Sequence, residues 1–271
     1  MKSALHVLRG IAGIVVFFAV LAAVQTPLHA AHVPSTLAAL LLIPLSFAVY
    51  VAWVRFVERR SVRELSLRGA LGEGTLGLAG GIALFSIVIG LLALAGAYHV
   101  RGSSGVTVLF APFITWCAGA VAEEIAFRGF LFRTIREVGG LWVALAISAL
   151  FFGLAHAANP GATLFSSVAI AIEAGVLLAL AFALTGRLWL AIGIHTGWNV
   201  AEGTIFGVAV SGTGAHPASV LHGALSGPAL LSGGSFGPEA SVAAIVVCVL
   251  ASAALYVLEV KKAPVVEPSA A

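Results

Sequence analysis

The sequence predicts an all-α polytopic membrane protein of about eight transmembrane helices with an intramembrane polar cavity. Three observations predict it. Of the 271 residues, 61% are hydrophobic and 9% charged, with a mean hydropathy of +1.10, whereas a soluble domain carries about 25% charged residues. The apolar residues fall in eight continuous runs, at roughly 9–27, 36–56, 75–98, 107–132, 141–157, 164–184, 188–207 and 240–258. A helix needs about 20 residues to cross a hydrocarbon core of about 30 Å, and continuous rather than alternating runs exclude a closed barrel, the only other structure that satisfies its backbone in lipid. The third observation is the placement of charge. With the N-terminus inside, Lys2, Arg9, Arg55, Arg59, Arg60, Arg63, Arg68, Arg133, Arg136, Arg187, Lys261 and Lys262 all fall on the cytoplasmic side, Arg101 falls outside and Arg128 lies within the membrane. Adding or removing one crossing would scramble that split, so both termini are expected in the cytoplasm. The net charge of +3 is a topology signal that implies a lipid bilayer as partner and no nucleic acid.

Taken in order, the first run has signal-peptide features, with Lys2 and Arg9 before an apolar core and Ala30 and Ala31 after it. Its length favours an uncleaved helix. Between the second and third runs, residues 57–74 form a basic, partly amphipathic stretch expected at the headgroup surface. The third run carries Gly77 and Gly81 four apart, a spacing that permits close helix approach without naming a partner. The fourth and fifth are joined near Val138-Gly139-Gly140 as an antiparallel hairpin. Cys117 and Cys248 sit in separate runs and read as apolar packing residues. Residues 208–239 hold Gly212, Gly214, Gly223, Gly227, Gly233, Gly234 and Gly237 with Pro217, Pro228 and Pro238, a long external connector or, alternatively, a lid or re-entrant piece. The tail after Lys262 has no cysteine and so no prenylation signal of its own. No internal repeat is visible, and the chain divides into 1–104, 105–207 and 208–271 within one domain.

The chemistry concentrates in three pieces: Glu123-Glu124 with Arg128 in the fourth run, Phe152 with His156 in the fifth, and His195 with Asn199 in the seventh. An ionised group at the bilayer centre costs about 2.5–3.5 kcal/mol even on insertion scales, so such residues face a polar cavity. Counted from Gly139, Glu123 is 16 residues back and His156 is 17 residues on, which puts carboxylate and imidazole at one depth of the hairpin. Glu124 and Arg128 share a face as an i, i+4 ion pair, leaving Glu123 free for chemistry. His195 and Asn199 project together by the same spacing. Glu123 with His156 could therefore deprotonate a water, while His195 and Asn199 donate to an oxyanion formed by attack on a peptide carbonyl. The other chemistry open to the set is a divalent metal such as zinc held by Glu123, His156 and His195 with a fourth position open. No local motif demands a metal.

The strings EEIAFRG from Glu123, FGLAH ending at His156 and HTGWN from His195 to Asn199 resemble, in order and spacing, the motifs of the CPBP family. These are the CAAX proteases and bacteriocin-processing enzymes also called the Abi family. The resemblance covers roughly residues 105–205. It implies an all-helical intramembrane endopeptidase, of the glutamic or metalloprotease type, acting on membrane-associated proteins or peptides. It makes residues 105–207 the catalytic core and carries the family's essential residues onto Glu123, Glu124, Arg128, His156, His195 and Asn199. The GGSFGPEAS string before the last run also resembles bacterial members, without an assigned role.

Blander roles are set beside these. Glu124, Arg128 and Phe152 are expected to support the site, with Phe152 shaping a pocket or filling the core. His156 and His195 lie inside runs, whereas His6, His29, His32, His99, His216 and His222 lie at ends or in loops. Glu173 and Glu202 are expected to be structural or water-lining. A proton-coupled transporter built on the same carboxylates and histidines is the alternative function, although inverted repeats and broken helices are not evident. Eleven Arg against three Lys, with abundant Ala and Gly, suggests a GC-rich bacterium and hence its cytoplasmic membrane.

Overall fold

A computed structural model describes residues 2–213 and 219–262. Gly214, His216, Pro217 and the tail after Lys262, on which the sequence reading touched, lie outside the described residues. Each apolar run is helical over most of its length, because lipid leaves the backbone no other partner. The chain runs through α1 (Lys2–Ala30), α2 (Ser35–Ala52), α3 (Ala70–Leu94), β1 (Tyr98–Ser103), α4 (Phe110–Glu124), α5 (Arg133–Ala155), α6 (Leu164–Ile170), α7 (Leu177–Thr185), α8 (Trp189–Asn199), β2 (Leu221–Leu225), α9 (Ala229–Ser232) and α10 (Val242–Lys262).

Six helices among the described residues are long and apolar enough to cross a membrane, against the eight expected. Two features account for the difference. The helical stretch Val106–Ala158 is two arms, bent back at Gly140 (φ 77°, ψ −177°), where a side chain would be strained. The α8 segment, continued by Val200–Ile205, is shorter than the other spans. Wide turns interrupt several helices: π-helical stretches occupy Trp53–Val57, Ile125–Phe132, Ala171–Val176 and Val200–Ile205. The last three adjoin the intramembrane carboxylates, and such wide turns are frequent at functional sites.

α3 packs along α8, and glycine decides how closely. A Cβ on Gly77 would stand 2.5 Å from the Leu190 carbonyl oxygen, and one on Gly81 would meet the Ile194 backbone. Gly193 and Gly197 face α3 in the same way. Without a hydrophobic drive between helices in lipid, such close backbone contact is what holds them. On the helix ends, the basic stretch after α2 is tied down rather than lying free: Glu58 and Glu64 pair with Arg60 and Arg133, and the Glu64 carbonyl accepts from the Leu188 amide. Arg187 pairs with Glu73, and that hydrogen bond raises its guanidinium above the ordinary value.

The 208–239 segment departs from the expectation of a structureless connector. β2 pairs antiparallel with β1, Tyr98 opposite Leu225 and His99 opposite Ala224. The third run accordingly stops at Leu94, and Tyr98 begins the strand. Ser211 and Glu239, from the two ends of this segment, are buried beneath it.

Candidate active site

Glu123 and Glu124 end α4, where the wide turn Ile125–Phe132 begins. The return arm of α5 brings His156 to their level and opens there into a 3₁₀ turn, His156–Ala158. α8 supplies His195 and Asn199. These elements converge: Glu123 Oε2 lies 3.9 Å from His156 Nε2 and 3.9 Å from His195 Nε2. Asn199 lines the same cavity. The hairpin places the first pair and the glycine contact with α3 fixes the level of the second.

Glu124 has a larger part than the i, i+4 pair suggested. Its Oε1 accepts from Arg128 Nη1 at 2.9 Å and from His195 Nδ1 at 2.9 Å. Arg128 is fully buried and donates from Nη2 to the carbonyls of Ala174 (2.8 Å) and Gly175 (3.3 Å), in the wide turn after α6. Its guanidinium stands 4.5 Å from the centroid of the Phe152 ring. Phe152 in turn lies 4.8 Å from the His156 ring and 6.2 Å from that of His195. A buried ion pair of this kind contributes little net stability, since desolvation of both charges offsets their attraction. Its effect here is positional, because one carboxylate locks an arginine and a histidine together.

The tautomers follow from the partners. His156 Nδ1 faces the Phe152 carbonyl at 2.8 Å, and a carbonyl only accepts, so Nδ1 carries the hydrogen. His195 Nδ1 likewise donates to the Glu124 carboxylate. In the neutral rings both Nε2 atoms are therefore lone pairs, and both face Glu123 Oε2, a buried oxygen with no hydrogen-bond partner. Three acceptors aimed at one point are compatible with a shared proton, a water donating its hydrogens, or a cation. His195 can donate from Nε2 only when doubly protonated, a condition that the spacing in sequence did not reveal.

As they stand, no three or more His, Cys, Asp or Glu side chains among the described residues are spaced to hold a metal ion. The 3.9 Å separations fall between about 3.4 Å, expected for two ligands of one tetrahedral zinc, and about 4.6 Å, expected for two groups sharing one water. The donor set nonetheless fits zinc in kind: two imidazoles and one carboxylate, each imidazole with its far nitrogen held by a second group.

These residues open onto a cavity that is also lined by Glu173, Glu239, Asn159, Ser211 and Trp198. Glu239 accepts from Trp198 Nε1 at 3.0 Å, and from the Ser211 amide and hydroxyl at 2.8 and 2.6 Å. Asn159 Nδ2 donates to the Ser211 carbonyl, 2.8 Å away. Sequence reasoning gave Glu239 no role; the only signal was its GGSFGPEAS string. Glu173 lines the cavity, whereas Glu202 is buried behind it.

Among protein-family models, one described as Rce1-like, type II CAAX prenyl endopeptidase Rce1-like, matches residues 104–201. That stretch contains Glu123, Glu124, Arg128, Phe152, His156, His195 and Asn199, while Glu202 and Glu239 lie beyond it. Neither the curated proteins nor the solved structures give a match.

Proposed function

We infer, from the match of residues 104–201 to a family model described as type II CAAX prenyl endopeptidase Rce1-like, that this chain is an integral membrane peptide hydrolase that cleaves a membrane-associated protein or peptide with a water activated by Glu123 and His156. The observation that carries the inference is the approach of Glu123 Oε2 to both Nε2 atoms, 3.9 Å in each case.

A water between these groups gives one proton to Glu123, and the resulting hydroxide attacks the carbonyl carbon of the scissile bond. His156, held through Nδ1 by the Phe152 carbonyl, keeps its Nε2 lone pair on the water and orients it. The carbonyl oxygen becomes an oxyanion that accepts from the Asn199 amide and from a protonated His195. Glu124 on Nδ1 stabilises that imidazolium. Glu123 then passes its proton to the amide nitrogen, the C–N bond breaks, and an amine and a carboxyl group leave. If a divalent metal such as zinc is bound, Glu123, His156 and His195 would hold it, and it would supply Lewis acidity toward water and carbonyl. The placement in a bacterial cytoplasmic membrane belongs to the same reading and rests on the excess of Arg over Lys with abundant Ala and Gly, and the placement of both termini inside rests on the distribution of Lys and Arg along the chain.

The test is cleavage of a lipid-anchored peptide by the purified full chain in liposomes. Glu123→Ala and His156→Ala are each expected to lower the rate by about 10³-fold or more, with unfolding temperatures unchanged; a single general base contributes about 10²–10⁴-fold. Full proteolysis by Glu123→Ala would refute the base assignment. Activity that survives complete chelation, with no metal found by elemental analysis, would exclude the metal-assisted form. Proton or solute flux without cleavage of any peptide would favour the transporter.

A further inference from the structure

Five carboxylates away from the cavity are each paired with arginine: Glu58 and Glu64 with Arg60 and Arg133, Glu73 with Arg187, Glu137 with Arg133, and Glu259 with Arg136. Glu124 has Arg128, and Glu123 faces two histidines. Glu173, Glu202 and Glu239 break the pattern. They are 1%, 0% and 4% exposed, close enough to act on one another electrostatically, and without an ion pair to any described residue. Glu239 has its hydrogen bonds from Trp198 and Ser211, but both oxygens of Glu173 are buried and unpartnered.

Glu173 and Glu239 line the same cavity as Glu123, His156 and His195, so a segment seated for cleavage also lies against them. The walls between are apolar, with Ile170, Leu177, Leu178 and Trp198 among them. Apolar walls ending in carboxylates suit a side chain with an aliphatic stem and a cationic head. The nearby buried cation of this chain cannot fill that role, because Arg128 is engaged by Glu124 and by the Ala174 and Gly175 carbonyls.

We propose that the end of the cavity walled by Glu173 and Glu239, with Glu202 behind them, is a subsite for a basic side chain, lysine or arginine, of the substrate. The proposal rests on the protease reading for its place in the reaction. Glu202 follows His195 by seven residues on one helical path, about 10 Å along its axis. An extended chain advances about 3.3 Å per residue, so the basic residue falls within three positions of the bond cleaved.

The experiment uses palmitoylated peptides that differ only in lysine or norleucine at one of three positions on either side of the scissile bond. The full chain in liposomes is expected to cleave one lysine peptide at least 10-fold faster than its norleucine twin, by kcat/KM. In Glu173→Gln and in Glu239→Gln that ratio is expected to fall to within twofold of unity, whatever the absolute rates. Fluorescence anisotropy of the same peptides on the Glu123→Ala protein reads the subsite without cleavage, with the same lysine preference expected in Kd. Equal treatment of lysine and norleucine in both assays, or a ratio preserved in a folded Glu173→Gln protein, overturns the subsite even when cleavage is robust. An enzyme that cleaves nothing yet binds lysine peptides selectively overturns the protease reading and leaves the subsite standing.

Discussion

Alanine at Gly77 separates the packing of α8 from every other influence on it. The new Cβ would stand 2.5 Å from the Leu190 carbonyl oxygen, 2.9 Å from the Ile194 amide nitrogen and 3.0 Å from the Gly193 α-carbon. A carbon and a carbonyl oxygen rest at about 3.3 Å or more, so α3 and α8 must part locally by roughly 0.8 Å. These atoms are main chain and cannot turn aside, and overpacking of this kind costs about 1–3 kcal/mol. Ile194 immediately precedes His195, so the displacement also moves an imidazole that now stands 3.9 Å from Glu123. A misplacement near 1 Å costs up to about 10²-fold in rate. The comparison is Gly80→Ala, three residues along the same helix, where a Cβ meets nothing within 4 Å and alanine gains up to about 1 kcal/mol of helix propensity. Thermal unfolding in detergent and cleavage in liposomes should show Gly77→Ala destabilised and slowed by about 10- to 100-fold, and Gly80→Ala at least as stable and as active as the parent. Equal behaviour of the two variants would refute the claim that backbone contact between these helices sets the position of His195.

Two further outcomes follow from other buried features. Arg128→Leu strands the buried Glu124 carboxylate and should lower unfolding stability by about 3–5 kcal/mol. Combining it with Glu124→Gln should recover part of that loss, and strict additivity in denaturant titrations would sink the coupling. At the hairpin bend, Gly140→Ala forces a side chain into φ 77°, ψ −177°, a strain of about 1–3 kcal/mol, so its unfolding midpoint should fall while Gly119→Ala, in open space, should not move it.

The hairpin of the fourth and fifth runs was legible from sequence, because a turn at consecutive glycines sets the register of two helices by counting alone. The same counting paired Glu124 with Arg128, a contact four residues apart that helix geometry dictates. The bond from His195 to Glu124 was not legible, since it spans 71 residues and no periodicity links the two helices. Glu239 was missed for a related reason: a carboxylate in a glycine-rich connector looks exposed until Trp198 and Ser211 are seen to donate to it. The pairing of β1 with β2 was hidden by apolar content that let Tyr98 read as the end of a span. The wide helical turns beside Glu124, Glu173 and Asn199 left no local mark either, because a π-helical turn answers to packing from neighbours rather than to the residues within it.

By itself the sequence determined that this chain crosses the bilayer as helices, and which charges end up inside it. Apolar length and backbone satisfaction leave lipid-embedded segments no alternative, and polar residues cannot avoid showing where the cavity must be. Only the tertiary structure decided which faces meet. Between apolar helices in lipid there is no hydrophobic stripe to read. Partner choice therefore passed to four glycines between α3 and α8, and to a few buried hydrogen bonds, in a packing that brings Glu123, His156 and His195 to one point and sets Glu173 and Glu239 along the same cavity.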